Sequence, residues 1–279
     1  MTLREAFTSE LMGNLKKLTL QLKSDTTSAG GRRKSRAKGQ SVEFSDFRNY
    51  VSGDSIKNID WKSYGRLDKL FIKLFSEERQ ANVNIIIDTS GSMGFGEKRL
   101  QTQLLSASLC YMFMLNMDRV NIYALDSTPL TDLTSPNMIG RAVEYLGNID
   151  FTGEKSLLNS VKRLNLRQGS CIFISDFFTN DNKTELFKLL AYKRQKLCAV
   201  TLLDRTDIDP ESGEDATLED SENSAQMAVI LDKNILKRYK QSLDRHLADI
   251  ANAAKKAQGQ FFLAPSDVQI MKIIRELAL

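Results

Sequence analysis

The chain has 279 residues, 42% hydrophobic and 27% charged, which suits one large soluble domain or one domain with a substantial appendage. A net charge of only +4 argues against bulk polyelectrolyte binding. No apolar run reaches the roughly 18 residues needed to cross a bilayer, and residues 1–23 lack the apolar core and cleavage site of a signal peptide, so a cytoplasmic location is expected.

In chain order, Leu3, Phe7, Leu11, Leu15, Leu18 and Leu22 recur in steps of three and four and predict an amphipathic helix over 3–22. Residues 24–40 read as a loop, with Arg32, Arg33, Lys34, Arg36 and Lys38 in one basic run. Over 41–79, residues 42–44 and 69–75 read as short strands and Gly53-Asp54 as a turn; this region is expected to wrap onto the main domain. Residues 83–87 form a near-continuous apolar run ending at Asp88, the pattern of a strand buried on both faces. A helix is predicted over 98–116, a strand over 120–125, helices near 137–146 and 155–164, and a strand over 171–175 that ends at Asp176. A helix over 181–193 and a strand over 197–203 come next. Residues 204–226 interrupt with an acidic insertion, in which 216–218 and 227–231 pair as a hairpin across 221–224. A long helix over 233–257, a strand over 260–263 and a helix over 267–277 close the chain.

This alternation predicts an α/β fold: a doubly wound, mostly parallel sheet with helices on both faces. Residues 1–80 form an N-terminal helix, basic loop and clasp segment. Residues 81–279 form the main domain, with the hairpin insertion near 204–231. Cys110, Cys171 and Cys198 match no zinc spacing and read as buried thiols.

In open α/β sheets, ligands bind beyond the carboxyl ends of the strands. Asp88 and Asp176 both stand there, and Asp88-Thr89-Ser90-Gly91-Ser92 has the pattern D-x-S-x-S. Carboxylate and hydroxyl oxygens suit hard cations such as Mg2+ or Mn2+. The motif resembles the metal-ion-dependent adhesion site of von Willebrand factor A domains. That resemblance implies Ser90 and Ser92 as direct ligands, Asp88 and Asp176 as supporting carboxylates, and a partner's acidic side chain completing the shell. The family's third-loop threonine has no direct counterpart, because Lys155 aligns with it; Thr152 or Ser156 could substitute, or Lys155 could replace the metal as a fixed positive charge.

Upstream, Phe44-Ser45-Asp46-Phe47-Arg48-Asn49-Tyr50-Val51-Ser52-Gly53-Asp54, then Ile59-Asp60-Trp61-Lys62-Ser63 and Leu70-Phe71-Ile72-Lys73, resembles the bacterial "domain of unknown function 58" family. The resemblance implies a non-enzymatic protein-interaction module working with a MoxR-type AAA+ ATPase in assembly or maturation of other proteins. Bottom-up, Trp61 with Asp54, Asp60, Arg48, Lys62 and Arg79 reads as a polar clasp fastening the segment to the sheet.

Three other readings fit the sequence less well. Ser92, Asp176 and His246 occur in the chain order of an α/β-hydrolase triad, but the G-x-S-x-G elbow is missing and His246 falls in a helix. Gly91, Gly94 and Gly96 form neither a dinucleotide fingerprint nor a P-loop. The basic run offers a nonspecific contact to nucleic acid or anionic lipid, without interleaved aromatics; a loop docking an acidic patch on a partner is the preferred reading, and no nucleic acid is expected.

Overall fold

Strands buried on both faces have no polar side to show to water, so the longest apolar runs of this sequence collect in one parallel layer. In the computed structural model the chain runs α1 (Leu3–Ala6), α2 (Ser9–Ser28), β1 (Val42–Asn49), α3 (Trp61–Leu67), β2 (Phe71–Glu77), β3 (Asn82–Ile87) and α4 (Lys98–Leu115). It continues through β4 (Arg119–Ala124), β5 (Leu130–Leu133), α5 (Ile139–Gly147), α6 (Leu157–Arg163), β6 (Gly169–Ser175), α7 (Lys183–Tyr192) and β7 (Gln195–Leu203). The last elements are α8 (Arg205–Ile208), β8 (Ala216–Glu219), β9 (Gln226–Val229), α9 (Lys233–Lys256), β10 (Gln260–Pro265) and α10 (Ile270–Ala278). The structure describes residues 1–28, 42–77, 80–153, 156–210, 216–219, 226–229 and 233–278. The basic run at 32–38, Lys155, Arg79 and the hairpin turn at 221–224 lie outside these residues.

Contacts divide the chain into two units, Met1–Gly31 with Ala81–Leu279, and Arg32–Gln80. The larger unit is built on a six-stranded sheet of order β10-β7-β6-β3-β4-β5. Five strands are parallel, and β5 runs antiparallel to β4 at the edge. Alternation along β3 sends Ile85 and Ile87 to one face and Ile86 to the other. The first face packs against α1, α2, α4, α5 and α10, and the second against α6, α7 and α9. The expected α/β architecture, with a mostly parallel sheet flanked by helices, is therefore what forms.

Two local differences have physical causes. The helix expected over 3–22 breaks at Phe7-Thr8, where Thr8 Oγ1 accepts the amide of Leu11 at 3.1 Å and starts a second helix. That second helix runs through Ser28, into the stretch expected to be loop. Leu3, Phe7, Leu15 and Leu18 are buried in the sheet's core, so these helices belong with the larger unit.

The smaller unit has its own ladder: β1 and β2 pair antiparallel from Val42↔Glu77 to Asn49↔Phe71, with a bulge between Phe44 and Asp46. Its polar groups close on one another. Arg48 Nη2 grips both oxygens of Asp54 at 2.9 Å. Asp60 takes the Ser63 hydroxyl at 2.6 Å and the Lys73 ammonium at 3.4 Å. Arg48, Asp54 and Asp60 thus brace this segment internally.

Candidate metal centre at the sheet edge

β3 and β6 lie side by side in register, Ile87 opposite Ile174, so both strands end together and deliver Asp88 and Asp176 to one edge. The Asp88 amide still donates to Ile174 O at 3.0 Å. Both acids are buried, Asp88 2% and Asp176 1% exposed. Asp88 Oδ1 accepts the Ser90 amide at 2.8 Å and Oδ2 accepts the Ser175 hydroxyl at 2.6 Å. These donors are neutral. Burial, and then the charge of Asp176, push the Asp88 carboxyl up to about 6 against the restraining hydrogen bonds.

The loop after Asp88 is fixed from several sides. Thr89 Oγ1 donates to Leu125 O at 2.7 Å, and Met93 is fully buried. The Asp176 amide donates to the Met93 sulfur at 3.2 Å, tying the two strand ends together. Ser90 Oγ and Ser92 Oγ come within 3.2 Å of each other. Two ligands about 2.1 Å from an octahedral cation, on adjacent vertices, would be about 3 Å apart, so this spacing fits Mg2+ or Mn2+. Among the described residues no group of three or more His, Cys, Asp or Glu side chains could hold an ion, so hydroxyls would have to supply part of any shell.

Of the six residues proposed as ligands, Asp88, Ser90, Ser92 and Asp176 converge. The loop carrying Thr152 docks on them through its backbone: the Gly153 amide donates to Thr89 O at 2.8 Å, and a Cβ on Gly153 would sit 2.5 Å from Thr89 Oγ1. Thr152 itself is exposed. Ser156 is turned elsewhere. It caps α6, accepting the Asn159 amide at 3.2 Å, and donates to Asp181 Oδ1 at 3.1 Å.

The hydrolase triad does not assemble. His246 Nε2 meets the main-chain oxygen of Asp176 at 2.9 Å, not its carboxylate, and its ring stacks on Phe178 at 4.6 Å. The Asp176 carboxylate is held by Lys98, and the Ser92 hydroxyl meets that of Ser90.

Lys98 is the functional residue that sequence reasoning missed. Its side chain is 3% exposed, and Nζ lies 3.1 Å from Asp176 Oδ2 and 3.0 Å from Asp207 Oδ2. Burial alone would lower its pKa, but Asp176 and Asp207 outweigh burial and raise it, so the ammonium stays charged. Asp207 belongs to α8, whose N-cap Asp204 also accepts the Glu97 amide at 3.2 Å and the Ser266 hydroxyl at 2.9 Å. Gly96, at φ +59°, allows that approach, since a Cβ there would lie 2.8 Å from Asp204 Oδ2. The start of the acidic insertion is therefore part of the rim of the site.

An α/β sheet with an oxygen-lined strand edge, preceded by a small two-stranded unit, is the class of protein that these features define. The chain belongs to the family described as protein of unknown function DUF58, which matches residues 46–249. The upstream segment had pointed to this family. The uncharacterized proteins Rv1480 of Mycobacterium tuberculosis and Mb1516 of Mycobacterium bovis are each 21% identical over 232 residues, covering 78% of this chain and 72% of theirs. Among solved structures, conserved hypothetical protein BatB from Bacteroides thetaiotaomicron is 14% identical, with a TM-score of 0.43 over 70% of this chain and 96% of that one. An aerotolerance-related membrane protein from Bacteroides fragilis is 14% identical, with a TM-score of 0.42 over 71% and 98%. Among the described residues of this chain, no helix is long and apolar enough to cross a membrane.

Proposed function

We propose that this chain is a non-enzymatic interaction module of von Willebrand A type, in which the Asp88 loop holds Mg2+ or Mn2+ and presents it to an acidic side chain of a partner protein. The observation that carries this reading is the Asp88 carboxylate, which is buried beside Asp176 and, among the described residues, is neutralised by no cation of its own. A divalent ion would supply the missing charge, and Ser90 and Ser92 stand at a spacing that suits its shell. Ser90, Ser92, Asp88 and Asp176 would hold it. When bound, the ion supplies a point of attraction for an anionic group. By the family resemblance the partner is a MoxR-type AAA+ ATPase, and the work is assembly or maturation of other proteins in the cytoplasm.

Calorimetry with Mg2+ and Mn2+ tests the site. Metal-dependent heat is expected for the wild type and should vanish in Asp88→Ala and Ser90→Ala, with far-UV circular dichroism unchanged. The ATPase should be retained in pull-down with magnesium and released by chelator. Absence of metal-dependent heat from folded wild-type protein would sink the reading.

Lys98 favours a second reading. It already neutralises Asp176 and is fixed by Asp207. In a metal-free scaffold this ammonium is the charge that organises the edge. Calorimetry separates the two, because the scaffold gives no metal-dependent heat.

A further inference from the structure

We infer that the smaller unit carries a docking face for an anionic lipid bilayer, formed by α3 and the turn leading into it. Between residues 51 and 67 five large apolar side chains stand in solvent: Val51 57%, Ile56 64%, Trp61 59%, Tyr64 41% and Leu67 62% exposed. Such a density of exposed apolar groups marks an interaction surface. On α3, Trp61, Tyr64 and Leu67 follow one another at steps of three and share one side of the helix. The Trp61 and Tyr64 rings meet edge to face at 6.2 Å. Lys62 and Arg66, four residues apart and both exposed, form the neighbouring flank.

Charge identifies what covers this face. The stretch 51–69, which holds the face and its flanks, carries the exposed Lys57, Lys62, Arg66 and Lys69 against Asp54, Asp60 and Asp68. Two of its acids are already engaged, Asp54 by Arg48 and Asp60 by Lys73. Trp and Tyr with flanking Lys and Arg is the composition that settles at the headgroup level of an anionic leaflet, where the rings find an apolar body and a polar edge together. Nucleic acid fits less well. Val51, Ile56 and Leu67 offer no ring for a base to stack on, but they gain by leaving water for acyl chains. This site is independent of the metal reading, since it uses none of the sheet-edge residues.

Trp61 is the only tryptophan, so its emission reports this face alone. The full chain is mixed with vesicles of equal parts phosphatidylglycerol and phosphatidylcholine, and with pure phosphatidylcholine. The expected result is a blue shift and co-sedimentation with the anionic vesicles, weakened by salt, and little of either with the neutral ones. Trp61→Ser with Leu67→Ser, read by sedimentation, should lower the partition about tenfold or more. Lys62→Glu with Arg66→Glu should do the same while keeping the tryptophan reporter. The substituted side chains are exposed, and circular dichroism verifies the fold of each variant. No shift with anionic vesicles, sedimentation unchanged in the double variants, or a shift produced by a single-stranded oligonucleotide instead of vesicles would each overturn the proposal, the last in favour of a nucleic-acid surface.

Discussion

Two buried polar clusters sit at opposite ends of β3, four residues apart, and they are built on different principles. At the amino-terminal end, Asn84 Nδ2 donates to Arg167 O and to Gln195 Oε1, each at 2.7 Å, and Asn84 Oδ1 accepts from Asn121 Nδ2 at 3.0 Å. Gln195 Nε2 goes on to Arg167 O at 3.0 Å and Lys193 O at 2.9 Å, and Asn121 Oδ1 accepts the Asp132 amide at 3.1 Å. These groups are neutral and partnered, so the network locks β3, β4 and β7 to the loop before β6. At the carboxyl end, Asp88 leans on neutral donors while Asp176 shares a single ammonium with Asp207. A closed neutral network needs nothing from outside. A buried cluster with surplus negative charge among the described residues is costly to keep, and the proposed metal would relieve that cost.

The largest effect should come from Lys98→Met. It strands two carboxylates around a buried apolar chain and is expected to lower stability by about 3–5 kcal/mol in urea unfolding without metal. If the edge binds Mg2+, saturating ion should return part of the loss, about 2.7 kcal/mol at a hundredfold excess over the dissociation constant. Wild-type stability in this variant would break the contrast between the two ends. Next comes Asn84→Ala, which leaves Gln195 Oε1 and Asn121 Nδ2 unpaired and should cost about 2–3 kcal/mol. Its magnesium response should match that of the wild type, since the closed end takes no part in binding.

Asp88→Asn should act in the opposite direction. The Asp88 carboxyl is raised from 3.8 to about 6, so the folded state holds its proton more tightly than the unfolded chain. The contribution of this group is therefore fully present below about pH 4 and is lost as pH rises through about 6. A neutral amide escapes that loss. In metal-free buffer at pH 7.5 the variant should be more stable than wild type, by on the order of 1–3 kcal/mol, with the gain fading as pH falls. Added magnesium should stabilise wild type and not the variant. A variant less stable than wild type in metal-free buffer at pH 7.5 would show that Asp88 is as fully compensated as Asn84.

How much of this was legible in the sequence depends on how local the cause is. The run at 83–87 and its terminal acid announced both the buried strand and the place of the candidate site, because strand burial and the D-x-S-x-S spacing are written in adjacent residues. β5 was missed, since its four residues carry only one fully buried side chain, Leu133. The break at Thr8 was masked by an apolar rhythm that continues across it. Lys98 was invisible for a different reason. A lysine opening a helix reads as solvated, and the groups that enclose it, Asp176, Phe178 and Asp207, all come from far later in the chain. Ser156 misled in the same way, being one hydroxyl among several near the right loop until Asp181 claims it.

That last pairing gives the smallest and most selective test. Ser156 lies near Thr152 in sequence but works as a helix cap, so Ser156→Ala should cost about 1 kcal/mol, the usual effect of losing a capping hydroxyl. The Asp181 carboxylate keeps the Leu158 amide at 2.8 Å, which limits the damage. Metal-dependent heat should be unchanged in this variant, whereas Ser90→Ala, also a single hydroxyl, should abolish it. A stability loss shared by both variants with the heat lost only in Ser90→Ala would separate the open edge from the framework around it. Loss of the heat in Ser156→Ala would instead require the loop between Gly153 and α6 to rearrange when an ion binds, placing Ser156 in the shell after all.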